Sequence, residues 1–509
     1  MTTPRRVDVL VVGAGPAGLA AAARLAVSGV GRVEVLEREA EAGGVPRHCA
    51  HGGFGAWTRP LTGPAYARLL TEAADRAGAV IRTGVTVLDW AWAAAPEAGN
   101  DQDAAADRGP GAGGSFTDRG RAEEFPAAPA ATGRTVGASA AGTGPVGPAS
   151  PADRAGAGRG PVSGAVGPSI GTPLTTVGPS IGTPLTTVGP RIGTLLTAVG
   201  PGGPEVIEAR AVVLATGARE RPRTARLVPG TRPAGVYTTG ELQQAVHLFG
   251  QRVGTRAVVV GSEDVSYAAA DTVRAAGAEV VALVTEHPCA QTGRVRARSA
   301  RLLDRVPLLT YTTVTELLGH GRLSGVRVRH RDGRTAVLAC DTVVFTGDFL
   351  PDHELARRGA LALDPGTRGP AVDGALRTSR PGVFAAGNVL HAVERAGTAA
   401  AEGNGVAGTV LDFLAGAPWP DPAVPLAVEA PLRWIAPNRV VPADPPTRYV
   451  LRTSTPLTRP VLRVHQDGRL LHRERPTLGT ALPNRTLTLT AGWTGRVDPK
   501  GGEVRVSAG

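Results

Sequence analysis

A chain of 509 residues, 42% hydrophobic but only 4% aromatic, is long enough for two or three domains with their own cores, and its 69 glycines and 43 prolines call for a loop-rich or unstructured portion. The formal net charge of +11 does not single out a nucleic-acid binder, because Lys500 is the only lysine and the arginines are scattered rather than gathered into a stripe. Cys49, Cys289 and Cys340 lie far apart with no CxxC pair, which excludes a disulfide scaffold, a four-cysteine zinc site and a protein-ligated iron–sulfur cluster, leaves no metal site to expect and fits a cytoplasmic location.

Residues 7–37 read as a strand, a turn, a helix and a second strand: VDVLVV, GAGPAG, LAAAARLAVSG and RVEVLE. Arg5 and Arg6 before an apolar run to Ala26 imitate a signal peptide, but Asp8 and the glycine pattern assign the run to a buried strand and a helix. Helical and extended patches continue to Trp92. Residues 93–203 then consist largely of Ala, Gly, Pro, Ser and Thr with almost no periodicity. They contain VGPSIGTPLTT at Val166 and again at Val177, decaying to VGPRIGTLLTA at Val188. An eleven-residue period can mark a right-handed helical coil, but Gly and Pro in each unit rule a helix out, so a disordered insertion is expected.

Order returns over 205–223 with EVIEARAVVLATGARERPR, and a second strand–turn–helix–strand unit spans 256–286. Mixed strands follow to Gly347, then TSRPGVFAAGNVL and a helix reaching Leu414. The tail, 415–509, alternates in RYVLRTS, PVLRVHQDGRLLHRE, RTLTLTAGW and EVRVS, with Asp467-Gly468 reading as a hairpin turn. Nowhere is there an uninterrupted apolar run of about eighteen residues, so no membrane span is expected.

Gly13, Gly15 and Gly18 place GxGxxG between a β-branched strand and an alanine-rich helix. The first glycine permits the tight turn, the second lets a pyrophosphate approach the backbone, and the third lets helix and strand pack closely, with the helix N-terminus facing the phosphates. Glu37 ends the next strand, where a carboxylate can accept hydrogen bonds from ribose hydroxyls. Two later motifs follow, Ala215-Thr216-Gly217 at a strand end and Gly387-Asn388 after a buried strand.

With these motifs the sequence resembles the two-dinucleotide-domain flavoproteins of the pyridine nucleotide-disulfide oxidoreductase superfamily, over about 1–92 and 204–414. The set GGVPRHC, LTGPAYAR, ATGARERPR, GVYTTGELQ, GSEDVS, FTGDFLPDHELAR and RPGVFAAGN is most similar to the α-subunit type of opine oxidase, hydrogen cyanide synthase and dye-linked amino-acid dehydrogenases. The resemblance implies an α/β architecture of two Rossmann-like domains. It allots 1–92, 204–250 and 348–414 to a discontinuous FAD domain and 251–347 to an inserted NAD-like domain, while the alternation of the tail makes 415–509 a β-rich module. It implies FAD held by Gly13, Ala14, Gly15, Pro16, Ala17, Gly18, Glu37, Arg38, Gly44, Val85, Thr216, Gly217, Gly387 and Asn388, the last standing where the family usually has Asp. The helix that follows is expected to aim its N-terminus at the flavin. In AGGVPRHCAHGGFG, Arg47, His48 and His51 are candidates to reach the flavin edge, His48 being the candidate catalytic group. Only Cys49 stands where larger disulfide reductases carry two cysteines, and the interval AGVYTTGELQQ has none, so a dithiol mechanism is excluded.

The second unit replaces the glycines with Gly261, Glu263 and Ser266, while Glu286 is read as the retained ribose acid. Glu263 puts a carboxylate where a pyrophosphate belongs, leaving three readings: a structural relic, an adenine-nucleotide site with altered phosphate contacts, or a weak NADH site. The expectation is an FAD-dependent oxidoreductase of a small amine or amino-acid-type substrate, acting alone or as a subunit of a complex with a second flavoprotein or an electron-transfer subunit. The alternatives are an NAD(P)H-dependent reductase and a non-catalytic nucleotide-binding subunit.

Overall fold

The computed structural model describes residues 3–56, 59–91, 193–392, 394–420, 423–445, 447–476 and 479–509. In chain order the elements that place the site are β1 (Arg5–Val12), α1 (Pro16–Val27), β2 (Val33–Glu37), α2 (Gly63–Arg76), β3 (Val80–Thr83), β4 (Thr86–Ala91), β5 (Thr194–Gly200) and β6 (Gly203–Leu214). Next come β7 (Val236–Thr238), α3 (Thr239–His247), β8 (Arg256–Val260), α4 (Asp264–Ala275), β9 (Glu279–Val284), α5 (Arg294–Leu302) and β10 (Leu308–Leu309). β11 (Thr342–Phe345), β12 (Val383–Ala385) and α6 (Ala396–Leu414) complete the set.

The first sheet runs β3-β2-β1-β6-β5-β4. β1 lies parallel to β2 and β6, and its Val9, Leu10 and Val11 are fully buried, as a parallel strand covered on both faces requires. β6 serves two partners along one edge: its first half pairs antiparallel with β5, and Val212–Leu214 pairs parallel with β12. The returning segment is thereby stitched into the first sheet. α6 crosses α1 closely because residue 403 is glycine; a Cβ there would overlap the Ala17 carbonyl.

The second sheet, β7-β11-β8-β9-β10, is parallel throughout. An antiparallel meander (Thr312–Leu318, Gly325–His330, Thr335–Ala339) packs Leu317, Val326 and Val328 against Val258 and Val343 of that sheet. The C-terminal strands form a five-stranded and a three-stranded sheet around buried Trp493 and Tyr449, whose rings stack at 5.3 Å. Asp467 and Gly468, both at positive φ, turn one of their hairpins.

Two boundaries differ from those expected. The second unit takes in β7 and α3, so it starts well before residue 251; VYT is too short a strand to show its allegiance in sequence. The segment 93–203 expected to be disordered lies outside the described residues up to 192, but its end is strand. In the third repeat Leu195 stands where the first two have Pro173 and Pro184, which restores a backbone N–H for the ladder. Leu195 and Leu196 pair with Ala91 and Trp90 of β4, and Leu196 is fully buried.

Candidate functional site

The first turn is built by close approaches that only glycine allows. Gly13 sits at φ +106° and donates to the Leu36 carbonyl at 2.8 Å; a Cβ there would lie 2.5 Å from the Ala215 carbonyl. A Cβ on Gly18 would overlap the Gly13 carbonyl. Gly15 caps α1 with Pro16 as its first residue, and the space a Cβ would occupy there is open for 4 Å. Glu37, 7% exposed at the end of β2, accepts from the Ala14 N–H at 2.8 Å and from the Glu39 N–H at 3.0 Å. The open space over a helix N-terminus, flanked by this carboxylate, is of the kind that fits a dinucleotide: N–H groups would face the phosphates and Glu37 the ribose.

Of the other expected residues, Gly44, Val85 and Gly387 lie against this turn or its strand-end acid. Gly43 donates to the Ala14 carbonyl at 2.8 Å, and a Cβ on Gly44 (φ +62°) would lie 2.9 Å from the Gly15 Cα. Val85 is buried and donates to the Glu37 carbonyl at 2.9 Å. A Cβ on Gly387 would lie 2.6 Å from that of Ala17. Thr216 donates its hydroxyl to the Asp352 carbonyl at 2.7 Å, and Asp352 returns its N–H to Gly217 at 2.9 Å. Arg38 points outward, 3.4 Å from the Asp352 carboxylate.

Asn388 is engaged differently from the expectation. Its side-chain amide donates to the Glu394 carbonyl and accepts the Glu394 N–H, both at 3.0 Å, closing the loop between β12 and α6. The Glu394 carboxylate is paired with buried Arg452 and receives the Thr486 hydroxyl, both from the C-terminal module. Arg452 lies over Trp434, Trp434 stacks on His391, and His391 Nε2 is 2.8 Å from the carboxylate of Glu402. That carboxylate accepts the Gly387 N–H at 2.8 Å. Sequence reasoning missed Glu402 and Arg452, since nothing local marks such long-range partners.

His48 ends a 3₁₀ turn (Val45–His48) directly after Gly44. Burial, with smaller contributions from Arg47 and His247, pushes it down to about 4, so it is neutral at pH 7. Arg47 pairs with Glu41 at 2.9 Å, and His51 Nδ1 sits 2.8 Å from the Gly52 carbonyl. His48 is thus uncharged at neutral pH, and the Arg47 guanidinium is engaged by Glu41. Cys49 is buried against the Gln243 side chain at 3.3 Å, and burial pushes its thiol up to about 12. No cysteine is bonded to another: Cys289 is exposed and Cys340 is buried elsewhere.

The second turn begins as the first does. Gly261 (φ +139°) donates to the Val284 carbonyl at 2.8 Å, so Val284 corresponds to Leu36. The residue corresponding to Glu37 is therefore Thr285, whose hydroxyl lies 3.1 Å from that of Ser262. Glu286, the acid expected to face a ribose, comes one residue later and is exposed. Glu263 caps α4 and folds back into the turn, accepting from the Ser262 N–H at 3.0 Å, the Ser266 hydroxyl at 2.6 Å and the Asn484 amide at 2.9 Å.

Comparison with known proteins agrees with this geometry. The model of the pyridine nucleotide-disulphide oxidoreductase family matches residues 182–403, and that of the FAD binding domain matches residues 8–99. The α subunit of sarcosine oxidase from Rhizobium meliloti (strain 1021) is 31% identical over 30% of this chain and 14% of its own length. An opine oxidase subunit from Rhizobium meliloti is 28% identical over 37% of this chain and 39% of its own. Thioredoxin reductase from Mycolicibacterium smegmatis is 31% identical over 40% of this chain and 63% of its own. The chain thus spans less than two thirds of each. The solved structure of T. acidophilum thioredoxin reductase superposes with a TM-score of 0.53 at 19% identity, over 80% of this chain and 98% of that one, a likeness of fold.

Proposed function

Because the chain belongs to the pyridine nucleotide-disulphide oxidoreductase superfamily and carries an FAD-binding fold, we propose that it is an FAD-dependent oxidoreductase that oxidises a C–N bond in a small amine or amino-acid-type substrate, by itself or within a complex. The carrying observation is the lone, buried Cys49. Dithiol reduction of a disulfide needs an exchangeable thiol pair, and a solitary buried thiol beside Gln243 cannot supply one. Two of the relatives are subunits of oxidases named for a secondary amine or an opine.

The first turn, Glu37, Gly44, Val85, Thr216, Gly217 and Gly387 would hold FAD, which when bound accepts a hydride from a carbon next to nitrogen. His48, buried and neutral, would offer a ring nitrogen as acceptor to orient a substrate N–H. A second reading, a reductase fed by NAD(P)H, is favoured by the family match across the second domain and by the thioredoxin reductase relative. No helix among the described residues is long and apolar enough to cross a membrane.

The test is a dye-coupled assay of the purified protein against secondary amines, N-alkyl amino acids and disulfides. The proposal expects amine-dependent dye reduction with matching imine or carbonyl product. It fails if a low-molecular-weight disulfide turns over and no amine does.

A further inference from the structure

The two turns start alike and then diverge at one bond. In the first, the N–H of Ala14 is taken by the strand-end acid Glu37, and the ground above Gly15 stays open. In the second, the equivalent N–H, of Ser262, is taken by Glu263, which stands in the place of Gly15. Glu263 also receives the Ser266 hydroxyl, and Ser266 is itself held by Thr346 at 2.6 Å. From outside the domain, Asn484 of the C-terminal module donates to the other carboxylate oxygen. Glu is a poor helix cap compared with Ser, Thr, Asp or Asn, so helix capping alone does not account for this residue. Its longer side chain is what carries a negative charge back over the turn, where a dinucleotide presents its own.

We propose that Glu263, held in place by Asn484, is a built-in competitor for the phosphate of any nucleotide entering the second turn, and that it sets a weak affinity of this protein for NAD(P)H. A carboxylate and a phosphate draw on the same donors, the N–H groups at the start of α4, and repel each other at contact distance. Thr285 adds to the effect, because the ribose hydroxyls meet a neutral side chain where Glu37 serves in the first turn. A nucleotide must therefore expel Glu263 from three hydrogen bonds before it can bind. The inference rests on the reading that the first turn is the FAD site, and it explains how a chain with two dinucleotide folds draws its electrons from an organic substrate.

The experiment measures NADH binding to the purified flavoprotein by calorimetry, with wild type, Glu263→Gly and Asn484→Ala compared. Glu263→Gly is expected to bind NADH about tenfold or more tightly than wild type. Asn484→Ala, which frees the carboxylate without touching the turn, should gain less, severalfold. Should Glu263→Gly fail to fold, Asn484→Ala alone decides. Equal affinity in all three proteins overturns the proposal, as does wild-type binding already as tight as that of Glu263→Gly. Flavin content, read by absorbance in the same samples, reports separately on the FAD assignment: its absence would indict that reading and not the role of Glu263.

Discussion

Arg452→Met is the most informative single change outside the turns. Arg452 and Glu394 are each only 4% exposed at the side chain, and the guanidinium also lies over Trp434 at 5.2 Å. Burial lowers the Arg452 pKa and Glu394 opposes that fall. Methionine keeps most of the volume but leaves Glu394 a buried, uncompensated carboxylate with only Thr486 to solvate it. Breaking one side of a buried pair costs roughly 3–5 kcal/mol, and the lost contact with Trp434 adds about 1 kcal/mol. Replacing Glu394 with Gln in the same background removes the stranded charge and should recover roughly 1–2 kcal/mol. Equilibrium denaturation followed by tryptophan fluorescence measures these differences, and flavin release followed in parallel should shift to lower denaturant, since the Trp434–His391–Glu402 chain ends on the Gly387 N–H. A loss below about 1 kcal/mol in Arg452→Met, or no recovery on adding Glu394→Gln, would refute this account of the module as a support for the cofactor turn.

Gly403→Ala forces a methyl into the Ala17 carbonyl and should cost about 3 kcal/mol or more and weaken FAD retention, read by the flavin lost on gel filtration. Lowering the pH tests His48: below its ordinary 6.5 the unfolded chain takes up a proton that the folded site refuses until about 4. Stability is therefore lost as the pH falls through that window, by up to ~3 kcal/mol, and His48→Gln should flatten the slope of stability against pH over the same range. Iodoacetamide at pH 8 should label Cys289 and leave Cys49 and Cys340, pushed up to about 12 and about 11, unmodified until the protein is unfolded; mass spectrometry showing equal labelling of Cys49 would contradict its environment.

The first turn is legible in the sequence because each of its demands is local: glycines where backbones touch, and an acid 24 positions after Gly13 at a strand end. The same spacing from Gly261 lands on Thr285, and Glu286 misleads by standing one place further on. Strand β5 hides in a repeat whose earlier copies carry proline, and one substitution, leucine at 195, changes what the segment can pair with. β7 is three residues long, so only its neighbours in the sheet reveal the domain to which it belongs. Asn484, Glu402 and Arg452 act across 221, 15 and 58 positions, and no pattern of spacing or propensity points to them. That His48 is neutral could not be read from AGGVPRHCAHGGFG, because burial rather than a neighbour in sequence sets its charge state.

The most direct measurement is an anaerobic titration of the purified flavoprotein, following the visible absorbance of the oxidised flavin. The account predicts that a suitable secondary amine or N-alkyl amino acid bleaches it stoichiometrically, while NADH at the same concentration bleaches it slowly or not at all. Prompt bleaching by stoichiometric NADH, with no response to any amine, would contradict it.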